Sequence, residues 1–136
     1  MKDNKQIAIL CFISDLSLSL WSYFKVTNYD EYLKTVKPMV DSPDFQVQIY
    51  QVLLQSLTFS LILFLAFHFV IYILFWKEKK YAVKYVHFYT FMAALSCLIM
   101  LFSKMFIALL PLVIYGFAFI ATGKMTKILT KKNATA

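Results

Sequence analysis

Arginine is missing: all fourteen basic residues are lysine, so no planar guanidinium is available to grip a carboxylate or phosphate in two places. Glycine occurs twice and proline three times in 136 residues. That leaves no material for a flexible linker, a phosphate-cradling glycine loop or a boundary between two domains. The two cysteines, Cys11 and Cys97, stand singly in apolar runs and read as buried small side chains rather than a disulfide or redox pair. There is no HExxH, CxxC or GxSxG, and no pair of acids within one apolar stretch. Hydrolytic, zinc and thiol chemistry therefore lack their usual residues, and no enzymatic reaction, metal or cofactor is expected.

Charge is scarce as well. Charged residues make up 15% of the chain and apolar residues 61%, against about a quarter and under half in a soluble domain. A single small core cannot hide that much apolar surface, so lipid is its natural solvent. Four apolar stretches can be marked, at about 7–24, 52–76, 85–102 and 105–122. Each reaches the roughly 17 to 20 residues needed to cross a hydrocarbon core. The expected fold is all-α: one transmembrane domain over 1–136, with four antiparallel transmembrane helices, an outer loop at 25–51 and a tail at 123–136.

Lysine placement sets the expected orientation. Lys2 and Lys5 precede the first span, Lys77, Lys79, Lys80 and Lys84 fill the turn between the second and third, and Lys124, Lys127, Lys131 and Lys132 follow the fourth. The long connection offsets Lys25, Lys34 and Lys37 with Asp30, Glu31, Asp41 and Asp44. Positive charge thus alternates as an even number of crossings requires, which puts both termini in the cytoplasm. Trp21 and Tyr23 at the outer end, and Trp76, Tyr81 and Tyr85 at the inner end, read as interfacial anchors. The expected setting is a bacterial inner membrane. The net charge of +7 is spent at span ends rather than in a groove, so nucleic acid is not an expected partner. "MKDNKQ" before an apolar run resembles a signal peptide, but no small-x-small site follows and the first span reads as retained. The "NAT" at Asn133 fits a glycosylation sequon but falls in the cytoplasmic tail.

The connections carry local signals. Asn28 with Glu31 three residues on resembles a capping box, and Tyr29, Tyr32, Leu33 and Val36 share a face. A short interfacial helix in the outer loop is expected, ended by Pro38. Ser42, Pro43 and Asp44 then start the second helix ahead of the membrane. Between spans three and four only Ser103 and Lys104 offer a turn. The alternative is a third helix running on to Leu110 and breaking at Pro111, with a re-entrant remainder. The lysine tail favours four crossings, with Pro111 bending the fourth.

Asp15 is the best lead to function. With Cys11, Ser19 and Ser22 it forms a polar seam on the first span, which must face other helices or water rather than lipid. Insertion scales charge a central Asp roughly 2.5–3.5 kcal/mol, a cost leucine avoids. The functional reading is a proton- or ion-binding group; the bland one is an acid gluing the bundle. Asp15 and His68 each lie eight residues inside the lysine-rich end, about 12 Å deep, so they could share a proton. The bland reading of His68 is a packed imidazole. Gln48, Gln51 and Gln55, with Thr58, form a stripe that could line an outer entry, and His87 shares a small or polar face with Thr90, Ala94 and Cys97. Pro111, Gly116, Ala118 and Thr122 thin the fourth span for close packing. The expected function is an oligomeric small-solute or ion transporter or channel subunit. The alternative is a non-catalytic scaffold or regulatory subunit bound to a partner membrane protein.

Overall fold

The computed structural model describes residues 2–28, 30, 34 and 43–134. They form four long helices: α1 (Lys2–Thr27), α2 (Pro43–Trp76), α3 (Lys80–Phe102) and α4 (Leu109–Ala134), the last entered through a 3-10 turn at Phe106–Ala108. All four are long and apolar enough to cross a membrane, and the described residues contain no strand. The interfacial helix expected after Asn28 falls almost wholly outside the described residues.

The helices overrun the apolar stretches at most ends. α1 begins five residues before Ile7, and α4 continues through the lysine tail, since neither flank holds a proline to stop it. α2 starts at Pro43 with Asp44 in its first turn. There the missing proline N–H costs no bond and the acid faces the positive helix end.

Both tight turns close without glycine. After α2, the Lys79 N–H donates to Leu74 O and the Glu78 N–H to Phe75 O. After α3, Met105 N–H reaches Met100 O and Lys104 N–H reaches Leu101 O. Each set of two bonds is a Schellman motif. It places Glu78 at φ 56° and Lys104 at φ 61°, the left-handed region that glycine usually fills. So "SK" does make the turn between the third and fourth helices. Pro111 then lies in the first turn of α4, where it has no helix to break, so the bend expected of it has no cause.

The chain divides into two compact units, Met1–Asp15 with Phe67–Ala136, and Leu16–Ala66. In the first, α3 packs along α4. Val83, Val86, Thr90 and Cys97 are buried on one helix, and Pro111, Tyr115, Ala118 and Thr122 on the other. Alternating steps of three and four keep such residues on one seam. Gly116 is off that seam: a Cβ there would meet nothing within 4 Å. The close approach is at Gly123, where a Cβ would come within 3.2 Å of the His87 ring. At the lysine-rich end of this unit, Asn4 Nδ2 donates to Glu78 Oε1 at 2.9 Å and the Lys5 ammonium lies 4.6 Å above the Trp76 ring. Large apolar side chains such as Phe88, Ile99, Leu110 and Phe117 remain exposed, as lipid-facing positions do.

In the second unit, the Tyr50 hydroxyl donates to Thr27 O at 3.1 Å. Tyr23 lines a cleft with Gln55, Thr58 and Phe59. Val52, Phe59, Ile62 and Leu63 are exposed.

Candidate functional site

Asp15 is 1% exposed, and its carboxylate is the point where four helices meet. Tyr72 of α2 donates its hydroxyl to Oδ2 at 2.7 Å. Tyr89 of α3 and Tyr115 of α4 donate to Oδ1 at 2.6 and 2.5 Å. These lengths are ordinary for a hydroxyl donating to a carboxylate. A carboxylate has about four acceptor positions, so three donors come close to saturating it. Each donor arrives from a different helix, and none belongs to the helix that carries the acid.

Local sequence accounts for the convergence. Asp15 shares its face of α1 with Cys11, fully buried one turn earlier. Tyr115 stands on the α4 seam between Pro111 and Ala118. Tyr89 stands beside Thr90, whose hydroxyl back-bonds to Val86 O at 2.8 Å and so presents no competing polar group. Tyr72 is held against α1 by Phe12, whose ring centroid lies 6.3 Å from its own, edge-on.

His68 lies one ring away from the acid. Its imidazole is 2% exposed, packs on Tyr89 at 4.4 Å between centroids, and sets Nε2 3.3 Å from the Tyr85 hydroxyl. Tyr85 and Tyr89 are stacked at 6.1 Å. Asp15 and His68 are therefore joined through Tyr89, which touches both. Tyr85, expected as an interfacial anchor, instead turns its hydroxyl to His68.

Ser19 is buried and Ser22 half-buried, while Gln48, Gln51 and Gln55 are exposed; all five belong to the second unit. His87 belongs to the first unit but not to the Asp15 cluster: its Nδ1 is 3.0 Å from the Thr122 hydroxyl and its ring stacks on Phe119 at 4.5 Å. Among the described residues no three His, Cys, Asp or Glu side chains gather. The site is a carboxylate dressed with hydroxyls.

Hydrogen-bond counting shows what this arrangement can do. As a carboxylate, Asp15 accepts all three hydroxyls. As an acid it carries a proton that needs an acceptor, and Oδ1 already takes two bonds. The proton belongs on Oδ2, and the Tyr72 hydroxyl must then turn from donor to acceptor. Tyr72 also lines an apolar cleft with Phe12, Phe69 and Trp76, so one buried side chain touches both the carboxylate and the cleft. Sequence reasoning missed the three tyrosines because an aromatic hydroxyl in a span reads as a belt anchor. No family model, curated protein or solved structure matches the chain.

Proposed function

We propose that the protein is a small multi-pass membrane transporter or channel subunit in which Asp15 is the proton- or cation-binding group. The observation that carries this reading is the convergence of one tyrosine from each of the other three helices on a single buried carboxylate. A proton or cation arriving at Asp15 changes what Tyr72, Tyr89 and Tyr115 can donate to, and so changes contacts on every helix at once. That is the coupling an alternating-access device or a gate requires. His68, through Tyr89, supplies a second titratable group within reach. One four-helix bundle leaves little room for an internal path, so the working unit is a homo-oligomer. The lysine distribution supports an orientation with both termini cytoplasmic, and the proposed setting is a bacterial inner membrane.

A specific observation favours a second reading. Among the described residues every buried side-chain polar atom has a partner, and Asp15 is nearly sealed. A carboxylate so enclosed can serve as a permanent staple in a scaffold or regulatory subunit of a larger membrane complex. Proton and cation flux into liposomes holding the purified protein separates the two, with wild type, Asp15→Asn and Tyr72→Phe compared. The transport reading expects flux that Asn abolishes and that Phe at 72 slows, with the oligomer unchanged. Equal silence from all three proteins would move the assignment to the scaffold.

A further inference from the structure

A second polar constellation, outside the Asp15 cluster, lies between α3 and α4 at the lysine-rich end. A cleft of about 500 Å³ is lined there by His87, Phe119, Gly123, Lys124 and Lys127, among others. Both lysines are exposed. The His87 ring lies flat against Phe119, with an interplanar angle of 7°. Its Nδ1 is committed to Thr122, whose hydroxyl already donates to Ala118 O at 2.8 Å. Thr122 therefore accepts from His87, which puts a hydrogen on Nδ1 and leaves Nε2 for a ligand. Gly123 makes room for this placement, because a Cβ would press on the imidazole at 3.2 Å. The cleft thus has two ammonium groups, an oriented imidazole and an aromatic wall, and it opens beside exposed apolar positions such as Ile120 and Phe117.

We propose that this cleft binds the phosphate headgroup of an anionic phospholipid. The charge is complementary: two lysines and a histidine stand together, and among the described residues no acid lines the cleft. Basic pockets between helices at the edge of a bilayer suit anionic headgroups. The apolar flank of α4 continues from the cleft and gives the acyl chains a surface. Lys124 and Lys127 meet the phosphate, and His87, braced by Thr122 and Phe119, sets its position. This inference does not depend on what Asp15 does.

The test is native mass spectrometry of the full chain in detergent, titrated with dioleoyl phosphatidylglycerol or with dioleoyl phosphatidylcholine. Wild type is compared with Lys124→Gln/Lys127→Gln and with Lys79→Gln/Lys80→Gln, which removes the same charge outside the cleft. The expected result is a preference for phosphatidylglycerol that falls roughly tenfold or more in the first double variant and holds in the second. Helical content and elution volume establish that both variants are folded. Equal losses in the two variants would reduce the effect to general surface charge and overturn the site. Displacement of phosphatidylglycerol by inorganic phosphate at a comparable concentration would overturn the lipid assignment, because the cleft would then recognise the free ion.

Discussion

Replacing Asp15 by leucine should split two properties that usually move together. Insertion should improve, since leucine at a span centre is favourable where aspartate costs roughly 2.5–3.5 kcal/mol. Bundle stability should fall, because the hydroxyls of Tyr72, Tyr89 and Tyr115 lose their shared acceptor. Interhelical polar contacts in a bilayer contribute about 0.6 kcal/mol on average and up to about 1.7. Three of them therefore set the loss at about 2–5 kcal/mol. Asparagine should lose much less. Its carbonyl can stand where Oδ1 stands and accept from Tyr89 and Tyr115, while its amide faces a Tyr72 hydroxyl that can turn to accept.

Thermal unfolding in detergent, followed by helical signal and by the fluorescence of Trp21 and Trp76, would order the proteins as wild type, then Asn, then Leu. The decisive comparison is a double-mutant cycle with Tyr115→Phe. In the wild-type background this change should cost about 1 kcal/mol, and in the Asp15→Leu background almost nothing, because the bond is already gone. A Leu variant as stable as wild type would refute the reasoning. So would an equal cost of Tyr115→Phe in both backgrounds, which would make the four-helix junction irrelevant to packing.

Further outcomes follow from the turns and the glycines. Lys104→Gly should stabilise the protein by about 1 kcal/mol in the same unfolding assay, because Lys104 holds a left-handed conformation at φ 61°. Glu78→Gly relieves the same strain but loses the Asn4 bond, so its net effect should be close to zero. Gly116→Ala should be neutral or slightly stabilising, given the open space around it. Gly123→Ala should shift the His87 ring by a few tenths of an ångström and cost about 1 kcal/mol, a difference readable in the histidine resonances as well as in the melting temperature.

The helices were legible because apolar length and lysine flanks are properties of the chain alone. Charge and hydropathy place spans without reference to any partner, and Pro43 marked the start of α2 as its φ and missing N–H require. The turn at Lys104 was legible only as a weak point. A Schellman closure depends on backbone bonds to Met100 and Leu101, which no side chain advertises when glycine is absent. Gly116 misled for a related reason: a small residue permits close approach, but only the register of α4 decides which small residue meets a neighbour. Of the two glycines it is Gly123 that a neighbour approaches.

The site divides along the same line. Asp15 stood out because its cost at that depth is intrinsic, whichever helix it meets. Tyr72, Tyr89 and Tyr115 carry no such mark, since a tyrosine pays little at an interface and gains by anchoring there. Depth still offered a signal. Tyr115 lies seven residues inside Thr122, the lysine-rich end of the fourth stretch, and Asp15 lies eight inside Ile7, a difference of one residue or about 1.5 Å. A buried acid needs donors at its own level, and in a chain without arginine, hydroxyls are the main neutral donors the spans can offer. Searching each span for a hydroxyl at the depth of Asp15 picks out Tyr115 from the chain alone. The same count of depth finds His68, and Tyr89 stands against both it and the acid. Depth restricts which groups can meet; helix rotation, fixed by the seam of Val86, Thr90, Tyr115 and Ala118, selects among them.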